Sequence, residues 1–151
     1  MGYGYMFNCR KCGYRAEGYE GFGFQFPAEY RSVQQRAREG IYGQELQAFL
    51  KQHPEAQVNA ENIVVVCEDC GHLESVPELS VYLPEESFGS LPEDITWLTA
   101  MDLQERFTLV RKYQHRCERC GGRMQETDPE QQEYRCPVCG EVLEQSLIDW
   151  D

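Results

Sequence analysis

CERCGGRMQETDPEQQEYRCPVCG, residues 117–140, is the stretch whose reading decides the fold. It opens on one Cys-x-x-Cys-Gly motif (Cys117, Cys120, Gly121) and closes on a second (Cys136, Cys139, Gly140). Two residues between sulfurs let a single tight turn aim both thiolates at one ion, while the backbone N–H groups of the turn point back at sulfur. Glycine closes such a turn because it reaches positive φ without a Cβ clash. Fifteen residues separate Cys120 from Cys136, the spacing of a compact zinc ribbon, and Thr127, Asp128 and Pro129 mark a hairpin turn between them.

Outward from this stretch the motif occurs twice more, at Cys9/Cys12 with Gly13 and at Cys67/Cys70 with Gly71. All eight cysteines are thereby used, and four sulfurs from two knuckles make the closed tetrahedron that zinc or iron prefers. Regular pairing argues against a disulfide framework, and four glycine-followed pairs argue against a single redox dithiol. Four pairs can be matched in three ways. An interleaved match needs crossing connections, which short chains avoid. The short spacing assigns Cys117, Cys120, Cys136 and Cys139 to one site. Cys9, Cys12, Cys67 and Cys70 then form the other, although 54 residues lie between Cys12 and Cys67.

The expected fold is α+β: two zinc ribbons of small antiparallel sheet, the first (residues 1–83) interrupted by a helical insertion at about 27–53. Tyr3, Tyr5 and Phe7 alternate as a strand does, and so do Phe22, Phe24 and Phe26. Pro27 to Glu39 reads as a helix stopped by Gly40, and Gln44 to His53 as a second one ended by Pro54. Ile63–Val66 and Ser80–Leu83 read as strands. Pro84, Gly89 and Pro92 place a linker over 84–98, ahead of the second ribbon at 99–151. A strand from Phe107 toward the Cys117 knuckle is favoured there over a helix from Thr99.

CRKCGY (residues 9–14) and CPVCGE (136–141) resemble the two knuckles of rubredoxins and rubredoxin-like zinc ribbons, which use CxxCGY and CPxCG. The whole chain is also similar to small bacterial proteins with paired CxxC motifs and an aromatic amino-terminal segment. The resemblance implies a ribbon fold and metal ligands, and no reaction. In rubredoxins the two motifs share one site and lie much closer in sequence than they do here.

Charge bounds the partners. The formal net charge is −12, and two four-thiolate sites holding divalent ions make it more negative still, which repels phosphates and disfavours nucleic acid. The exception is a basic run, Arg106, Arg111, Lys112, Arg116, Arg119 and Arg123, interrupted by Glu118 alone. It is a candidate binding face, although neutralising the nearby thiolates and acids is the simpler role for it. Nine aromatics within residues 1–30 could stack on single-stranded nucleic acid, but a sheet face packed in a core accounts for them better. No HExxH, Walker or Gly-x-Ser-x-Gly motif is present, so no catalytic residue is assigned. His72 and His115 stand near knuckles that already have four sulfurs, which leaves them supporting or surface roles. No apolar run is long enough to span a membrane and no signal peptide begins the chain. The expected protein is therefore cytoplasmic, holds two zinc ions, and binds a protein partner. Iron with single-electron transfer is the alternative.

Overall fold

A computed structural model describes residues 2–86 and 96–150. The chain is an α+β protein, and it divides into two compact units, each assembled from separate stretches of sequence. Unit 1 comprises Met1–Gly23, Asn62–Val76 and Gln114–Asp151, and unit 2 comprises Phe24–Glu61 and Pro77–Tyr113. This corrects the expected division into a ribbon at 1–83 and another at 99–151. The expected linker, 84–98, falls largely outside the described residues.

Unit 1 carries two three-stranded sheets. In the first, β1 (Tyr3–Asn8) lies between β2 (Arg15–Glu20) and β9 (Glu144–Ile148), antiparallel to both. In the second, β4 (Asn62–Cys67) lies between β5 (Leu73–Pro77) and β8 (Met124–Thr127). Gly21 and Asn62 exchange two backbone hydrogen bonds, and the Ser75 hydroxyl both donates to the Tyr19 carbonyl and accepts from its N–H. These bonds tie the first sheet to the second. Tyr5 and Phe7 are wholly buried, with Phe7 edge-on to Tyr134 at 5.0 Å between ring centres. The Trp150 indole packs over Gly2 and Gly23 and against Tyr19; a Cβ on Gly2 would collide with it, and one on Gly23 would stand 3.2 Å from it. That contact holds the end of β9 against β1.

Unit 2 has a conventional core. Its helix α1 (Phe26–Arg38) starts with Pro27 in the first turn, where the missing N–H costs nothing, and ends with Arg36 and Arg38 near its negative pole. Phe26, Tyr30, Val33 and Ala37 form the buried stripe. Gly40, at φ +85°, closes the helix as Ile41 N–H donates to Arg36 O and Gly40 N–H to Ala37 O. Leu46 and Leu50 of α2 (Gln44–Gln52) are also buried. A small sheet is ordered β3 (Gln57–Val58), β6 (Val81–Pro84), β7 (Phe107–Arg111). The Gln34 side chain clamps Val58 through both its N–H and its C=O.

Three local expectations are corrected. Phe22, Phe24 and Phe26 do not form a strand: β2 stops at Glu20, and Phe26 already belongs to α1. The strand expected from Phe107 is present as β7 but stops at Arg111, short of the Cys117 knuckle, and the less favoured helix from Thr99 is present as well, as α3 (Ala100–Arg106). Thr99 and Asp102 make a reciprocal capping box at the start of α3, which is the signal for that helix in the sequence. Finally, β8 pairs with β4, so Thr127–Pro129 does not close a local hairpin between the two carboxy-terminal knuckles.

Candidate metal centres

All four Cys-x-x-Cys-Gly motifs adopt one geometry. In each, the glycine N–H donates to the carbonyl of the first cysteine, at 3.0 Å for Gly13, 3.0 Å for Gly71, 2.8 Å for Gly121 and 2.9 Å for Gly140. The N–H of that first cysteine donates in turn to the carbonyl five residues on, at Tyr14, His72, Gly122 and Glu141. The four glycines sit at φ +79°, +75°, +75° and +80°. A Cβ on Gly13, Gly121 or Gly140 would meet nothing within 4 Å, so backbone conformation and not space demands glycine there. Gly121→Ala is accordingly expected to cost about 1–2 kcal/mol by chemical denaturation, with no steric clash at the site. Gly122→Ala should cost more, because its methyl would press on the Asp69 carboxylate and stand 3.0 Å from Cys67 Sγ.

The knuckles assemble in a nested order. Cys9, Cys12, Cys136 and Cys139 form the first centre, and Cys67, Cys70, Cys117 and Cys120 the second. Within each centre all four sulfurs lie within 4.8 Å of one another. Cross-knuckle distances are 3.4 Å (Cys9–Cys139) and 3.5 Å (Cys12–Cys136) in the first, and 3.4 Å (Cys67–Cys120) and 3.6 Å (Cys70–Cys117) in the second. A zinc tetrahedron with Zn–S bonds of ~2.3 Å has edges of about 3.8 Å, close to these values. All eight cysteines are free, and the sulfurs stand too far apart for a disulfide. The donor sets fit zinc.

This nesting corrects the expected partition in which Cys9 and Cys12 shared an ion with Cys67 and Cys70, and Cys117 and Cys120 with Cys136 and Cys139. Strand pairing decides the matter. β1 leads into Cys9 and β9 follows Cys139, and these strands pair with Asn8 opposite Glu144. β4 leads into Cys67 and β8 follows Cys120, and these pair with Cys67 opposite Met124. Each centre is thus one strand entering a knuckle beside one strand leaving its partner knuckle. Loop length was the weaker criterion, because each doubling of a loop costs only about 0.6 kcal/mol.

The thiols divide by environment. The backbone N–H of Cys12 lowers Cys9 to about 7, and that of Cys70 lowers Cys67 to about 7. Against its burial, the N–H groups of Cys139 and Val138 lower Cys136. The backbone N–H of Tyr14 lowers Cys12, but desolvation and the sulfurs of Cys136, Cys9 and Cys139 together push it up to about 12. Cys120 likewise has a lowering N–H from Gly122, yet the sulfurs of Cys67 and Cys70 push it up to about 12. Four clustered sulfurs cannot all ionise by themselves, and a divalent cation at their centre removes that conflict.

Around the first centre two ion pairs cross between knuckles, Arg10 Nη2 to Glu144 Oε1 at 2.5 Å and Lys11 Nζ to Glu141 Oε1 at 3.6 Å. Both are exposed and contribute little to stability, but they favour this knuckle pairing. The candidate basic face is split between the units: Arg106, Arg111 and Lys112 belong to unit 2, and Arg116, Arg119 and Arg123 to unit 1. Arg111 is bonded to Glu45 at 2.7 Å. Arg116 and Arg123 pair across an antiparallel bridge beside the second centre, whose knuckles also carry Glu68, Asp69 and Glu118. His72 Nε2 lies 3.7 Å from Glu74, and His72 belongs to neither four-sulfur group found among the described residues.

A family model described as TFIIB zinc-binding matches residues 115–150. No curated protein and no solved structure gives a significant match. The matched stretch contains the Cys117/Cys120 and Cys136/Cys139 knuckles, while the fold sends those knuckles to different centres. Both four-sulfur groups fit metal binding, and the match over 115–150 points to zinc as the metal of a ribbon of this kind. The signal for the correct pairing was present in the sequence: CRKCGY and CPVCGE, the two strings that resemble partner knuckles of one rubredoxin-like site, meet in the first centre. Among the described residues, no helix is long and apolar enough to cross a membrane.

Proposed function

We propose that the chain is a cytoplasmic structural zinc protein, with one ion in each centre, that works as a binding module for a protein partner and not as an enzyme. The observation that carries this reading is the closure of both centres by four sulfurs, which leaves a metal no open position for water or substrate. The ion's contribution is folding energy and shape. Phe24, Met101 and Leu109 on unit 2 are exposed and available to a protein partner. The net charge of −12 weighs against nucleic acid.

One observation favours a second reading, single-electron transfer by iron: the two knuckles that resemble those of rubredoxins share the first centre. A tetrahedron of thiolates accepts either metal. Elemental analysis of the purified protein together with its visible spectrum separates them. A colourless protein with two zinc ions per chain is expected. Ferric-thiolate colour and one or more iron ions per chain would replace the zinc reading with the iron one.

A further inference from the structure

The two centres share a strand. β4 turns its residues alternately to opposite sides, as the period of two requires. Val64 is fully buried in the cluster that contains Cys9, Cys136, Phe7 and Tyr134, and Val66 packs against the same cluster. Val65 and Cys67 belong to the other cluster, with Cys117 and Met124. Four consecutive residues thus serve both centres in turn. The knuckles also approach one another directly, since the Cβ position of Gly71 lies 3.7 Å from Cβ of Pro137, between Cys136 and Cys139.

We propose that the two four-cysteine centres bind their metals as one coupled unit, with β4 as the shared element, so that opening either centre weakens the other. Loss of the first ion frees the Cys136 knuckle from the Cys9 knuckle and uncovers the Val64 side of β4. The strand then no longer holds Cys67 in register with the Cys117 knuckle. Loss of the second ion releases β8 from β4, and with it Thr127, whose hydroxyl bonds both the Val64 carbonyl and the Tyr134 hydroxyl inside the first cluster. Linkage makes the effect reciprocal: each ion strengthens the other by the same factor, typically about 5- to 150-fold. The inference rests on reading both clusters as metal centres.

The test uses the full-length chain with zinc and a competing chromophoric chelator. Two variants each open one centre, Cys12→Ser with Cys139→Ser, and Cys70→Ser with Cys120→Ser. Each is expected to retain one zinc at saturation, held about 5- to 150-fold more weakly than the same centre holds it in the wild type. The factor should be equal in the two variants. A third variant, Val64→Ala, keeps all eight ligands and touches the first cluster alone, and it settles the matter if the ligand variants do not fold. Weakened zinc at both centres supports coupling, and weakening at the first centre only overturns it. A remaining ion held with wild-type affinity in the ligand variants likewise overturns coupling while leaving two independent zinc centres. A wild-type chain that binds no zinc would overturn the metal reading itself.

Discussion

Stripping zinc from the protein with a strong chelator unfolds unit 1 and leaves unit 2 folded. Structural zinc contributes on the order of 10 kcal/mol of apparent binding energy per site, comparable with the whole stability of a small domain. Unit 1 has little to set against that loss. One of its two buried clusters consists of Val65, Cys67, Cys117 and Met124, so half of that cluster is metal ligand. The other includes Cys9 and Cys136 among its buried members. Unit 2 contains no cysteine and packs Phe26, Tyr30, Val33, Leu46, Leu50, Val58, Leu103 and Phe107 into an apolar core of its own. Every described helix lies in unit 2. Circular dichroism should therefore keep its helical signal after chelation, while amide exchange over 3–20, 62–76 and 114–148 becomes fast. Loss of the helical signal in step with metal release, or a spectrum and exchange pattern unchanged by it, would contradict this division of labour.

Phe7→Ala is expected to destabilise the zinc-loaded protein by about 3–5 kcal/mol, the range for removing a fully buried aromatic ring. The Phe7 ring sits edge-on to Tyr134, and the Cβ position of Gly18 lies 3.0 Å from its Cε2 and 2.9 Å from Val64 Cγ2. Phe7 therefore holds β1, β2, β4 and the entry to the Cys136 knuckle around one point. Denaturant unfolding in excess zinc measures the loss, and the first centre should give up its ion at lower chelator concentration than in the wild type. A change below about 1 kcal/mol would show that the ring is not the keystone of this cluster.

Much of this architecture was legible from residues alone, and the errors have a common physical origin. The ligands were plain because Cys-x-x-Cys-Gly encodes a complete local structure, a turn with its own hydrogen bonds and a glycine at positive φ. α1 was equally plain, since Pro27, the apolar stripe and Gly40 all agree. What failed were judgements about partners distant in sequence. The 15 residues between Cys120 and Cys136 invite a local hairpin, yet β8 in that interval pairs instead with β4. The first centre closes a loop of roughly 120 residues between its two knuckles, which costs only about 2 kcal/mol more than a 15-residue loop. The β1–β9 and β4–β8 pairings, which bring the partner knuckles together, offset that difference. β9 was missed because Glu144, Gln145 and Ser146 are polar and exposed, so it shows no apolar alternation. Its place is fixed by β1 and by Trp150 over the glycines beneath it, contacts that no local window contains.

The central claim is the nested pairing of the knuckles, and metal-to-proton NMR tests it most directly. With cadmium in place of zinc, each metal nucleus correlates through bonds with the β-protons of the cysteines that bind it. One cadmium resonance should connect to Cys9, Cys12, Cys136 and Cys139, and the other to Cys67, Cys70, Cys117 and Cys120. A single resonance connected to Cys117, Cys120, Cys136 and Cys139 would contradict the account.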